Sequence, residues 1–298
     1  MSAPEILRNV HLSKETTAGY QIGGEADYYL EACNSEDIRY GVRFAREKGI
    51  PIFVLGCGSN VLASDKGFRG MVINTLRMDA ITVSSDSIKV CAGARVTSFV
   101  RESILANFAG IEELSGIPGT VGGAIVMNAG AFSQAISDKI SQICIYDCQT
   151  GIENILTKKE AQFGYRSSIF RKKNCVILWA LFEFPLKVAY GILAARQSEV
   201  LRKRRESQPL EHHCCGSVFK NPDNGFAGEL IEQAGLKGFS VGGAEVSQLH
   251  ANFIINTGDA TAEDIRKVIA EVRKTAHKYF SIWLEPEVVF LGEFDTDI

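Results

Sequence analysis

No apolar run in this chain approaches the roughly 20 residues that a helix needs to cross a bilayer, which argues against a helical membrane protein. Charge of one sign is also missing. Lys and Arg number 32 against 35 Asp and Glu, for a net charge of −3, so no broad basic field points to nucleic acid. The first ten residues, M-S-A-P-E-I-L-R-N-V, lack the apolar segment of a signal peptide, and a cytoplasmic protein is expected. Eight cysteines are present, but no C-x-x-C pair joins any two of them. Scattered cysteines in apolar strand-like runs behave as small hydrophobes and fit a reducing compartment better than a disulfide framework. Cys214 and Cys215 follow His212 and His213, yet adjacent ligands splay apart and no second cluster completes a set, so no metal is assigned.

What is present in quantity is glycine. Residues 114–132 read L-S-G-I-P-G-T-V-G-G-A-I-V-M-N-A-G-A-F, with five glycines around Pro118 and no charge. Bare N–H groups flanked by Ile125, Val126 and Met127 suit a buried anion cradle, although a tight turn between core segments would read the same way. A second glycine stretch, G-C-G-S-N at residues 56–60, follows the apolar segment 50–55. It is not the dinucleotide fingerprint, which needs a third glycine and a helix opening at once. V-L-A-S-D-K-G follows instead.

The remaining pattern is mixed α/β. Residues 16–30 are predicted as two strands around Gly23-Gly24, and 35–48 as a helix capped by Asn34 or Ser35 and stopped by Gly49. Strands are expected within 71–94 and at 140–147, 175–184, 252–256 and 287–291. Helices are expected from Thr97 to Phe108, from Tyr190 to Glu206 with a basic end, from Ala227 to Ala234, and from Thr261 onward. The character of the chain changes near Pro185.

Six segments then agree in order: G-C-G-S-N, S-G-I-P-G-T-V-G-G-A-I-V-M-N-A-G-A, Y-R-S-S, G-S-V-F-K-N-P, H-A-N-F-I-I-N and L-E-P-E-V-V-F-L-G. Together they closely resemble the UDP-N-acetylenolpyruvoylglucosamine reductase family, from about Thr16 to Gly292, in its shorter subtype without a tyrosine-bearing substrate loop. The resemblance implies an α+β chain: an FAD-binding fold of the vanillyl-alcohol-oxidase type in two lobes, 1–75 and 76–187, then a C-terminal substrate domain, 188–298. It also implies NADPH as electron donor and UDP-N-acetylglucosamine enolpyruvate as substrate, reduced by hydride from flavin N5 to C3 and a proton to C2. A monomer or weak dimer is expected.

The same resemblance distributes the roles. Ser217 is the implied proton donor to C2, Arg166 the fork that holds the substrate carboxylate, and Glu287 the acid that steadies the developing charge. Glu287 would help only when protonated, and Glu285, two residues away, should face the other side of a strand. Gly56, Cys57, Gly58, Ser59, Asn60, Ser115, Ile117, Gly119, Thr120 and Gly123 are the implied FAD contacts. Arg204, Asn221, Tyr165 and Lys220 are the implied substrate contacts, and His250 is expected to support the fold. Cys214-Cys215 departs from the small residues expected before Gly216-Ser217; Cys215, if exposed, would be open to oxidation, and if buried inert. A flavin oxidase of the same fold and a silent nucleotide-binding module remain as alternatives.

Overall fold

The computed structural model describes residues 4–298, which pack as two compact units interleaved along the chain. One unit holds Tyr28–Gly56 and Gly70–Arg204 with residues 4–7, and the other holds Arg8–Asp27, Cys57–Arg69 and Arg205–Ile298. Each unit thus draws on more than one stretch of the sequence. Among the described residues no helix is long and apolar enough to cross a membrane.

In the first unit, helix α1 (Ser35–Lys48) starts where Asn34 Oδ1 accepts hydrogen bonds from the N–H groups of Glu36 and Asp37. It ends at Gly49, whose φ of 67° is left-handed. Ile38, Val42 and Ala45 lie on one face and pack on Leu30, Met71, Ile73 and Val176, as the helical spacing predicted. The strand Ile52–Leu55 runs parallel to Phe68–Asn74, Ile52 opposite Met71 and Leu55 opposite Asn74. It ends directly before Gly56.

A five-stranded antiparallel sheet carries the rest of this unit. Its order is Glu153–Thr157, Ile140–Asp147, Cys175–Glu183, Ser87–Cys91 and Ile81–Val83. One face packs α2 (Val96–Leu105) and α3 (Val121–Met127) through Phe99, Val100, Ile125, Ile177 and Phe182. Helix α2 differs from expectation at both ends. Arg95, with no side-chain bond, precedes it where Thr97 was predicted, and it stops at Leu105. Helix α4 (Tyr190–Ser207) closes the segment, with its residues through Arg204 in this unit.

The second unit centres on a four-stranded antiparallel sheet ordered His213–Cys214, Ile254–Asn256, Ala244–Val246 and Ser240–Val241. Helices α5 (Ala227–Gln233) and α6 (Ala262–Phe280) join its core through Ile231, Ile265, Val268, Ile269 and Val272. Thr261 and Asp264 form the expected capping box on α6. The predicted strand over the first part of 16–30 is absent. Residues 17–20 are a turn and only Glu25–Glu31 is extended, because Tyr20 and Ile22 turn inward to the core of this unit.

Asn34→Ala removes the cap of α1, the helix backing the strand that delivers Gly56. The expected loss is about 1 kcal/mol, measured as a lowered denaturation midpoint at unchanged slope.

Candidate active site

At several positions the two glycine stretches leave no room for a side chain. In the first unit, a Cβ on Gly56 would stand 2.4 Å from Thr120 Oγ1, and one on Gly122 2.9 Å from Ala92 Cβ. Val121 N–H donates to Ala94 O at 2.8 Å and Val96 N–H to Gly119 O at 3.0 Å, so residues 119–122 run beside residues 92–96. Thr120 then caps α3, its Oγ1 accepting from Gly123 N–H at 3.3 Å. Gly123 itself is exposed, and a Cβ there would meet only Thr120 Oγ1, at 3.4 Å.

Helix α4 holds this loop from the other side. Arg196 Nη1 donates to Glu112 Oε1 at 2.8 Å, and Gln197 Nε2 to Ser115 Oγ at 3.4 Å. The Arg204 stem lies 2.9 Å from where a Cβ on Gly116 would be. Glu112 is buried and accepts the N–H groups of Gly110 and Ile111 at 2.6 and 3.0 Å. Burial alone pushes its carboxyl up, but the backbone N–H groups and Arg196 outweigh that and hold it below the ordinary glutamate value. Arg204 is buried too, and desolvation lowers its guanidinium from the usual arginine value.

Arg166 sits at the tip of a two-residue turn, Gly164 and Ser167 exchanging backbone bonds at 3.0 and 3.2 Å. Its φ of 49° is left-handed, and its Nη2 donates to Gly130 O at 2.9 Å. Tyr165 is exposed, with the Arg166 guanidinium 5.2 Å from its ring centre.

In the second unit three of the predicted segments meet. Glu287 N–H donates to Val218 O at 2.7 Å and Lys220 N–H to Glu285 O at 2.9 Å, pairing the residues after Ser217 with those around Glu287. Asn60 Nδ2 donates to Glu287 O at 3.0 Å, and Val289 N–H to Asn60 O at 2.9 Å. Glu287 therefore precedes the strand Val289–Leu291, which pairs in parallel with Val61–Ala63, instead of beginning it. Glu285 is turned to Lys220 Nζ at 2.6 Å, which leaves Glu287 as the acid beside the Ser217 segment. Gly58, with φ 70°, has room for no Cβ, since one would stand 2.6 Å from Thr16 Cα. Gly216, with φ 73°, opens onto space, nothing lying within 4 Å of its missing Cβ.

Sequence reasoning missed Asn252. Its Oδ1 accepts from Phe219 N–H and its Nδ2 donates to Phe219 O, both at 2.9 Å, and its own carbonyl accepts Val218 N–H at 2.8 Å. It is the buried clamp of the Ser217 segment. The only sequence signal was an asparagine within the apolar run of H-A-N-F-I-I-N. His250 serves this clamp as expected: its Nδ1 accepts Asn252 N–H at 3.2 Å, and burial lowers its imidazole from the usual histidine value. Cys215 is buried and its thiol is pushed well up, first by burial, so it falls on the inert side of the expectation.

The C-terminal domain profile of UDP-N-acetylenolpyruvoylglucosamine reductase matches residues 208–291, and an FAD binding domain profile matches residues 26–147. The UDP-N-acetylenolpyruvoylglucosamine reductase of Caldicellulosiruptor bescii is 39% identical over 302 aligned positions, covering 100% of this chain and 94% of that protein. The chain belongs to the UDP-N-acetylenolpyruvoylglucosamine reductase family. The reductase of Clostridium perfringens is likewise 39% identical, over 92% of this chain and 89% of its own. The crystal structure of the UDP-N-acetylenolpyruvylglucosamine reductase from Thermus caldophilus superposes with a TM-score of 0.78 at 30% identity, covering 97% of this chain and 99% of that one. The mixed α/β class, with an FAD-binding part and a C-terminal domain, is thereby established for this member of the reductase family.

The residues present fit the flavin nucleotide that the family profile names. Within the first unit, Gly123 leaves bare, exposed backbone at the start of α3, as close approach by a ligand requires. The buried carboxylate of Glu112 is held by Arg196 and two N–H groups, not left to repel a phosphate.

Asn252→Ala should destabilise the protein by about 2–4 kcal/mol, because it strands a buried N–H and a buried C=O, and urea unfolding would measure it. Glu112→Gln should flatten the acid limb of stability. A carboxyl lowered in the folded state stabilises above its unfolded pKa, and that contribution is lost as pH falls through the folded value. Denaturation midpoints between about pH 5 and pH 3 should therefore fall less steeply in the variant than in the wild type.

Proposed function

We propose that this member of the family reduces UDP-N-acetylglucosamine enolpyruvate to UDP-N-acetylmuramate, with NADPH as the electron source, in the supply of peptidoglycan precursors. The observation that carries this reading is the meeting of the Asn60, Ser217 and Glu287 segments through main-chain and asparagine bonds. It gathers a glycine-loop residue, a hydroxyl and a carboxyl from three distant stretches. A silent nucleotide-binding module has no use for that arrangement.

The reaction needs a hydride at C3, stabilisation of the charge that moves onto the carboxylate, and a proton at C2. A bound flavin supplies the hydride. Gly56, Cys57, Gly58, Ser59 and Asn60, with Ser115, Ile117, Gly119, Thr120 and Gly123, are the residues proposed to hold it, by backbone N–H groups and short hydroxyls. Arg166 grips the substrate carboxylate with a planar fork whose attraction grows as charge accumulates there. Its left-handed turn points to a placement that the surroundings enforce, since an arginine does not adopt it without cost.

Ser217 delivers the proton to C2. Serine is a weak acid, but the enolate-like carboxylate it faces is a strong base. Glu287, half-buried, contributes as a neutral acid that donates a hydrogen bond to the same charge. Lys220 is directed to Glu285, so its proposed role is to fix the paired segments. Asn221 Oδ1 accepts Ala227 N–H at 3.0 Å at the start of α5, and with Arg204 and Tyr165 it is proposed to contact the sugar nucleotide.

The purified protein should be yellow and bleach under NADPH without oxygen. Colour should return on adding UDP-N-acetylglucosamine enolpyruvate and not with the unsubstituted sugar nucleotide. Return of colour with oxygen alone would instead support the oxidase reading. Ser217→Ala should leave flavin reduction intact and slow the oxidative half-reaction by at least about 100-fold in stopped flow, the range expected for loss of a general acid. Normal turnover by that variant would remove Ser217 as the proton donor.

A further inference from the structure

One buried polar group within the first unit is left over from the roles above. Asn128 ends α3 with φ 45° and ψ 55°, a left-handed cap whose N–H returns to Ala124 and Ile125. Its Nδ2 donates to Gly164 O at 2.9 Å. Gly164 O can only accept, so the amide orientation is fixed and Oδ1 must face the other way. Oδ1 is buried and has no hydrogen-bond donor among the described residues, and Asn128 as a whole is 9% exposed. Native proteins rarely leave a buried acceptor without a donor, and the exceptions ask for a ligand or a function.

The surroundings say which part of the chemistry it serves. Gly164 opens the two-residue turn that carries Tyr165 and Arg166. Ser168, just after that turn, donates its Oγ to Val126 O at 2.6 Å, and Arg166 reaches Gly130 O at 2.9 Å. Three side-chain-to-backbone bonds thus fasten the Arg166 turn to residues 126–130, and Asn128 makes the middle one. Val126 and Met127 are the last residues of the helix whose first turn holds Gly122 and Gly123, and Asn128 caps it. A glycine would satisfy the left-handed backbone equally well; the asparagine is there for its amide.

We propose that Asn128 is a positioning residue that couples flavin binding to the placement of Arg166: its Nδ2 holds the Arg166 turn, and its Oδ1 accepts a hydrogen bond from an N–H or O–H of the bound flavin. This rests on the flavin reading above. Flavin occupancy then satisfies an acceptor that otherwise stays bare, and the same side chain transmits that gain to the turn.

Two variants separate the halves. Asn128→Gly keeps the left-handed backbone and removes both amide functions, whereas Asn128→Asp keeps an acceptor and removes the donor. Apoprotein of each, and of the wild type, is titrated with FAD by fluorescence and melted with and without FAD. Substrate kinetics follow at saturating FAD. Asn128→Gly should raise the FAD Kd about ten-fold, the effect of one lost hydrogen bond, and shrink the FAD-induced rise in Tm. Asn128→Asp should keep the FAD Kd within about three-fold while raising the KM for the enolpyruvyl substrate about ten-fold, through a displaced Arg166. A purely structural role would lower Tm equally with and without FAD and leave the difference between them unchanged; that outcome overturns the proposal. So does a wild-type FAD Kd in Asn128→Gly, or a wild-type KM in Asn128→Asp. Wild-type apoprotein that binds no FAD would sink the flavin reading itself, a result distinct from these.

Discussion

Absence of room for a Cβ is the constraint on which the rest depends. At Gly56 the missing atom would stand 2.4 Å from Thr120 Oγ1, and at Gly58, in the other unit, 2.6 Å from Thr16 Cα. The approach at Gly58 is to backbone and cannot be relieved by a rotamer change, so it fixes the path of its loop, whereas at Gly56 the obstacle is the side chain of Thr120. The Thr120 side chain that stands against Gly56 also caps α3. The seating of residues 57–60, and with it the reach of Asn60 to the carbonyl of Glu287, follows from the approach at Gly58. Chemistry proposed for side chains is therefore placed by positions that have none.

A second theme is how polar groups are buried without being left unsatisfied. Glu112 sits 2% exposed among apolar residues and stays ionised because two N–H groups and Arg196 close around it. Asn252 directs both ends of its amide to one residue, Phe219. Cys215 takes the opposite course. It makes a weak bond to Val61 O, at 3.5 Å, and avoids ionisation because burial raises its thiol. The first anchors a loop, the second clamps a chain, and the third fills space.

Much of this is legible in the sequence. Helix α1 with its Asn34 cap and Gly49 stop, the capping box of α6, and the strands at 140–147 and 175–183 can be read because their signals are local. The turn at residues 17–20 reads as strand in the sequence, yet its apolar residues serve the core of the second unit and not a pleat. Thr97 reads as a cap because cap chemistry does not announce whether the preceding residue already closes the turn. The residues proposed for catalysis are legible only through resemblance. Ser217 and Glu287 are 70 residues apart in sequence, and no periodicity connects them. Asn252 and Asn128 go unassigned there because a buried amide is defined by its partners, which a sequence does not display.

Those partners have something in common. Asn60 reaches the carbonyl of Glu287, Asn128 that of Gly164, Asn252 both main-chain groups of Phe219, and Ser168 the carbonyl of Val126. Every one of these bonds ends on a main-chain atom, which any residue would provide except for the Phe219 N–H, which proline lacks. A substitution at the receiving position leaves the bond available, so no compensating change is demanded at the asparagine or serine. Contacts of this class would leave no trace as correlated substitutions among relatives. The side chains that do most to order the proposed site would stand as fixed single positions, silent in any search for coupled pairs.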